Sequence, residues 1–299
     1  MNDVLFKGAY GVIVTPFLED GTVNYEALGK QVDYVCDSGI KGLVACGSTG
    51  EFTYLSIREM KHLMAFVSDI NAGRKQLICG ATAANYHETV QLMEFIDSLG
   101  ADGALVAPPY YFQFNDDDVR DFYFKLAHAP GTTPIIAYHI PQCTSGISME
   151  VYRELLGLER IRGIKNSGGS CLQIMQQISL RNELRPDFSV MTGSDESIYA
   201  LVNSGADGSL TAIAYLYPEL VMDIYEHLND EQGLHNQMEV VKLASLAGEM
   251  PFPLGYKILG EASGKMYFGE YLQAVSDERK ERYQLLKDRM HDIIKVHME

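Results

Sequence analysis

Lys165 closes a short apolar run, Ile161-Arg162-Gly163-Ile164-Lys165, and is followed at once by Asn166-Ser167-Gly168-Gly169. Lysine is depleted in strand interiors, where β-branched and aromatic residues predominate. An ammonium held in apolar surroundings is costly and tends to lose its proton. The neutral amine is a nucleophile that condenses with a ketone to give a Schiff base. Taken alone, a lysine at the end of a strand reads better as a solvated charge. The residues around it at comparable positions argue for chemistry.

Those residues recur at the ends of other apolar runs. Ser48 and Thr49 lie inside Gly47-Ser48-Thr49-Gly50-Glu51, whose backbone N–H groups and hydroxyls suit a carboxylate. Tyr110-Tyr111 and Tyr138 follow two further runs, and Asp195-Glu196 follows another within Gly193-Ser194-Asp195-Glu196. Most of the 18 tyrosines must be core residues with a satisfied hydroxyl. Asp195 and Glu196 fit the start of a helix as readily as they fit a ligand, since acids suit that end of the dipole. His139 reads as a loop hydrogen-bond partner, and no His/Glu spacing matches a metal site.

The elements that must position these groups alternate along the chain. Apolar runs at 8–17, 42–46, 77–81, 103–107, 134–138, 161–165, 188–192 and 207–212 read as strands. Helical patterns fall between them at 24–38, 56–72, 86–99, 117–127, 149–156 and 172–179. Asn24 is placed to cap the first of these helices, and Ser56 with Glu59 forms a capping box at the second. The strands are continuous apolar runs, as parallel strands buried on both faces should be. Eight such units make a (β/α)8 TIM barrel, whose active site lies at the C-terminal ends of the strands. After Tyr215 only helical patterns remain, near 218–228, 231–247 and 277–296. The chain therefore divides into a barrel at 1–214 and, at 215–299, a final barrel helix with a C-terminal helical extension packed on it as one unit.

Composition excludes other classes. With 299 residues, 46% of them hydrophobic and 21% charged, the chain can bury an ordinary core. A net charge of −16 argues against nucleic acid and against an anionic membrane surface. No apolar run reaches the ~18 residues of a membrane-spanning helix, and residues 1–7 lack a signal-peptide pattern. The five cysteines match no zinc or redox spacing and read as reduced thiols of a cytoplasmic protein.

Four motifs, in this order, resemble a known family: Gly47-Ser48-Thr49-Gly50-Glu51 with Leu55 following, Pro109-Tyr110-Tyr111, Tyr138-His139-Ile140-Pro141, and Gly163-Ile164-Lys165. Each is weak alone; together they are specific, and the resemblance spans nearly the whole chain. The family is that of the Schiff-base class I aldolases that contains dihydrodipicolinate synthase and N-acetylneuraminate lyase. The resemblance implies that Lys165 forms the imine with pyruvate or another 2-keto acid and that Tyr138 shuttles protons. It implies that the N–H groups of Ser48 and Thr49 hold the carboxylate. A side chain of that pair, with Tyr111 and Tyr138, would complete a proton relay. Tyr111 would reach in from a neighbouring subunit, so a homo-oligomer is expected, a dimer or a dimer of dimers such as a homotetramer. A protonated imine is itself an electron sink, so no metal and no cofactor is required.

Two loops depart from the synthase pattern. Cys143, in Pro141-Gln142-Cys143-Thr144-Ser145-Gly146, stands where the synthase has a carboxylate-binding arginine, and a neutral thiol cannot replace a guanidinium. Asp195 and Glu196 resemble the acidic pair with which the lyase contacts sugar hydroxyls, and Ser167 suits a polyol, although Ala212 replaces an expected hydroxyl residue. The expectation is thus cleavage of N-acetylneuraminate or a related 2-keto-3-deoxy sugar acid to pyruvate and an aldehyde. Condensation of pyruvate with aspartate semialdehyde, the synthase reaction, is the second reading. A non-catalytic keto-acid sensor on the same barrel is a third, and it would be expected to have lost the lysine or a tyrosine. A metal-dependent barrel hydrolase would need ligands at several strand ends that the chain lacks.

Overall fold

The computed structural model describes residues 4–168, 170–269 and 276–298. Gly169, part of the glycine-rich stretch after Lys165, lies outside the described residues. Eight parallel strands close on themselves in chain order: β1 Gly8–Val12, β2 Gly42–Ala45, β3 Gln76–Gly80, β4 Gly103–Val106, β5 Ile135–His139, β6 Ile161–Asn166, β7 Ser189–Thr192 and β8 Gly208–Thr211. The fold is the expected TIM barrel.

Helices connect the strands: α1 Tyr25–Cys36, α2 Ile57–Asn71, α3 Tyr86–Leu99, α4 Asp116–Ala127, α5 Met149–Leu155, α6 Cys171–Leu184 and α7 Ile198–Asn203. Their starts are set by local chemistry. Asn24 accepts from the Ala27 N–H, and Ser56 and Glu59 form the reciprocal capping box, each satisfying N–H groups that a helix leaves open. Beyond β8 come α8 Ile213–Leu216, α9 Pro218–Glu226, α10 Glu231–Ala247, α11 Leu254–Ala262 and α12 Asp277–Met298. Helix α11, nine residues directly after Pro251-Phe252-Pro253, was not anticipated.

The strands are buried on both faces, which produces two apolar layers. Phe6, Tyr10, Val12, Val44, Ile78, Leu105, Ile136, Tyr138, Met191 and Leu210 fill the barrel interior. A larger layer, with Ile135, Ala137, Ile161 and Ile164 among its members, lies between strands and helices.

The pairing of β5 with β6 contains an irregularity that sets the site. Ile135 is opposite Ile161 but Ile136 is opposite Gly163, so the register passes over Arg162. One extra residue reverses which side chains face inward. Ile161 and Ile164 face the outer layer, and Lys165 falls opposite Tyr138, an interior residue. Arg162 itself pairs with Asp187 at 3.0 Å.

Candidate active site

A cavity of about 250 Å³ opens at the C-terminal mouth of the barrel. It is lined by residues at the ends of β2 to β5 and in the loops after them, among them Ser48, Thr82, Tyr110, Tyr138 and Cys143. Phe252 and Pro253, just before α11, complete the wall.

Lys165 and Tyr138 are both nearly inaccessible, at 4% and 5% exposed. The Lys165 Nζ lies 4.4 Å from the centroid of the Tyr138 ring, a cation–π distance. The Ser167 hydroxyl approaches that of Tyr138 at 3.4 Å. Ser167 is held by its N–H, which donates to the His139 carbonyl at 2.9 Å. Next to it, the buried Asn166 side chain donates to Gln177 on α6 at 3.0 Å and accepts from the Gly168 N–H at 2.8 Å, which pins the loop after β6. His139 plays the expected supporting part: its Nδ1 accepts the Ile147 N–H at 2.9 Å, and burial holds its pKa below the usual histidine range.

Space beside Lys165 depends on Gly193. A Cβ there would lie 1.9 Å from Ser167 Oγ and 2.6 Å from Lys165 Cε. No side chain larger than hydrogen fits without displacing both groups.

The Gly47–Gly50 stretch is a tight 3₁₀ turn, with N–H bonds from Gly50 to Gly47 and from Glu51 to Ser48. The N–H groups of Ser48 and Thr49 begin that turn, where a helix offers no internal acceptor. Ser48 lines the cavity; Thr49 is buried and does not. Thr15 donates its hydroxyl to the Gly50 carbonyl at 3.0 Å. Glu51 ends the turn in a left-handed conformation, φ 55°, and its carboxylate meets the Lys257 ammonium of α11. Both groups are buried, and Lys257 Nζ also lies 4.4 Å over the Phe17 ring. Burial pushes the Glu51 carboxyl up and the Lys257 ammonium down, against their mutual attraction. The sequence offered no sign of this pair, because its members are separated by most of the chain.

The remaining expected site residues are placed differently. Cys143 lines the cavity, and partial burial raises its thiol pKa, so the position carries no charge at neutral pH. Tyr110, rather than Tyr111, lines the cavity, packing edge-on against Phe52 at 5.9 Å. Tyr111 is 86% exposed with φ 82° and packs against Phe112, away from Tyr138 of the same chain.

Asp195 is not brought to the cavity. It is 3% exposed; one carboxylate oxygen accepts the Ile213 N–H at 3.1 Å and the other the Tyr256 hydroxyl at 2.9 Å. Burial raises its pKa to about 6. Glu196 is exposed and accepts from the Ser194 hydroxyl at 2.8 Å. In a single chain Asp195 thus ties the loop after β7 to α8 and α11, and Glu196 stands exposed beside it at the start of a helical turn.

Sequence comparison decides the family, since the profile of the dihydrodipicolinate synthetase family matches residues 5–286. The chain belongs to that family. As a member of the dihydrodipicolinate synthetase family it is a carbon–carbon lyase of the Schiff-base type. It is 31% identical over 239 residues to a 4-hydroxy-tetrahydrodipicolinate synthase of Caldicellulosiruptor saccharolyticus, covering 80% of this chain and 78% of the relative. A protein of the same name from Methanothrix thermoacetophila is 28% identical over 298 residues, covering 97% and 98%. Among solved structures, dihydrodipicolinate synthase from Aquifex aeolicus superposes with a TM-score of 0.87 at 26% identity, covering 98% of each chain. These relatives carry the synthase name, so the expected preference for a sugar acid finds no support in them.

Proposed function

We propose that this protein is a pyruvate-dependent aldolase in which Lys165 forms the Schiff base. The observation that carries the reading is the placement of Lys165 opposite Tyr138 in the barrel interior, with Nζ 4.4 Å from a ring that lines the cavity. The unprotonated amine attacks the keto carbon, and loss of water gives the imine. The carboxylate of the keto acid rests on the Ser48–Thr49 turn. A proton then leaves C3, giving an enamine, and C3 attacks the aldehyde carbon to form the new C–C bond. The aldehyde oxygen takes up a proton, and water hydrolyses the imine. Cleavage is the reverse. Tyr138, with Ser167 within reach of its hydroxyl, is the proton shuttle.

Tyr111 completes the relay from a second copy of the chain. Its left-handed backbone and exposed ring, beside the exposed Phe112, suit a residue held for a neighbour. Mixing inactive Tyr111→Phe with inactive Lys165→Ala should regenerate activity; no recovery after subunit exchange would remove Tyr111 from the relay. The cytoplasm is the proposed location, since all five cysteines are free thiols.

Two acceptors follow from the family. Cleavage of N-acetylneuraminate or another sugar acid keeps Ser167 as a hydroxyl partner but loses Asp195. Condensation with aspartate semialdehyde agrees with the relatives' names but finds Cys143 where a cation is needed.

The imine reading is tested without either acceptor. Pyruvate incubated with the enzyme in D2O should exchange its methyl protons, followed by NMR, at a rate proportional to enzyme. No exchange above the uncatalysed rate would contradict it.

A further inference from the structure

The turn that carries Ser48 and Thr49 is held at two points. The first is underneath, where the chain leaves β1. The Thr15 hydroxyl donates to the Gly50 carbonyl at 3.0 Å, and a Cβ on Gly50 would lie 2.8 Å from the Ile13 carbonyl oxygen. On that side the turn rests directly on backbone.

The second hold is Glu51. Its N–H donates to the Ser48 carbonyl at 3.2 Å, and its own carbonyl accepts the Tyr54 N–H at 2.9 Å. Glu51 therefore links the turn at Ser48–Gly50 to a second one at Phe52–Tyr54. It does so at φ 55° and ψ 38°, a left-handed conformation that a residue with a side chain keeps only where its surroundings enforce it. The far end of its side chain is anchored: the buried carboxylate is paired with the Lys257 ammonium of α11, which is buried as well. Lys257 Nζ also lies 4.4 Å over the ring of Phe17, whose N–H donates to the Phe268 carbonyl at 2.9 Å. The pair thus ties together the segment after β1, the turn after β2 and α11.

A buried ion pair adds little stability over apolar residues of similar volume, because the cost of taking both charges out of water offsets their attraction. What this pair does supply is geometry. It fixes Glu51, and through the Glu51 N–H it fixes the Ser48 end of the turn.

We propose that Glu51 and Lys257 are positioning residues for the keto acid: their pair holds the Ser48–Thr49 turn so that its open N–H groups face the substrate carboxylate. This rests on the imine reading and adds to it the element that aims the carboxylate site. The carboxylate does not change during the reaction. Donors aimed at it stabilise the bound ground state and the transition state alike, so loss of the pair appears in KM rather than in kcat.

The test is deuterium exchange into pyruvate, followed by NMR over a range of pyruvate concentrations, which gives KM and kcat separately. Lys257→Met combined with Glu51→Gln removes both charges and the tether. Its KM for pyruvate should rise by about ten- to a hundredfold, the scale of one hydrogen bond to a charged group, with kcat little changed. Glu51→Gln alone keeps an acceptor for the Lys257 ammonium, so its KM should lie between those of wild type and the double variant. Urea unfolding of the same proteins separates positioning from stability. The double variant should regain the stability lost in Lys257→Met without regaining the wild-type KM, whereas a merely structural role would restore both. If Lys257→Met alone does not fold, the double variant, with neither charge buried, still carries the comparison with wild type. A wild-type KM in the double variant, or a loss in kcat as large as that in KM, overturns the proposal and leaves the imine reading standing. Absence of exchange in the wild type defeats the imine reading and this one with it.

Discussion

Lys165 and Tyr138 are register partners on neighbouring strands, and the lysine Nζ lies 4.4 Å from the centroid of the tyrosine ring. The irregularity at Arg162 produces this arrangement. Continued from Ile135↔Ile161 without it, the pairing would set Lys165 opposite His139. The proposed nucleophile and its proposed proton shuttle thus meet through a single unpaired residue.

Tyr138→Phe keeps the ring against Lys165 and removes only the hydroxyl. Turnover should fall by about 10²–10⁴-fold, the usual contribution of a positioned acid–base group. Steady-state assays at saturating pyruvate measure this, and wild-type turnover would exclude Tyr138 from proton transfer.

Gly193→Ala adds a carbon where Ser167 Oγ is 1.9 Å away and Lys165 Cε 2.6 Å. Both groups must shift, and a displacement near 1 Å in an active site costs about 10²-fold in rate. Deuterium exchange into pyruvate should slow on that scale while circular dichroism shows the fold retained. Unchanged exchange would mean that Lys165 does not react in the position seen here.

The buried Glu51–Lys257 pair joins the Gly47–Gly50 turn to α11. Lys257→Met leaves a carboxylate buried without its cation and should cost about 3–5 kcal/mol in urea unfolding. Lys257→Met combined with Glu51→Gln should recover most of that loss, because both charges are gone. A double variant no more stable than Lys257→Met alone would show that packing, not charge, holds the two segments together.

Asp195 gives stability a pH dependence. Its folded pKa is raised to about 6 by burial, against about 3.9 for an unfolded aspartate. The folded state therefore binds the proton more tightly. The resulting contribution is fully present below about pH 4 and is lost as pH rises to about 6, a change of roughly 2–3 kcal/mol. Asp195→Asn keeps a carbonyl for the Ile213 N–H and does not titrate. Across pH 4–7 the wild type should lose that amount relative to the variant, and parallel stability curves would contradict the assignment.

Much of the barrel was legible because its signals are local. Apolar runs of five to ten residues, capping residues such as Asn24 and Ser56, and the polar residues that end several of the strands are each read within a short stretch of chain. Helix 231–247 is found at those limits. The inward face of β6 was not legible, since the irregularity at Arg162 is a property of two strands together. The roles of Glu51, Phe252 and Gly193 depend on contacts between residues far apart in the chain. Asp195 misled because an acid after a strand has the same local pattern whether it meets a substrate or, as here, the Tyr256 hydroxyl and a backbone N–H.

The most direct measurement of the central claim is reductive trapping. Wild type and Lys165→Ala are each treated with pyruvate and borohydride, followed by intact mass and peptide mapping. Wild type should gain one reduced pyruvyl group per chain, mapped to Lys165, and the variant none. An equal gain in the variant, or no gain in the wild type, would contradict the account.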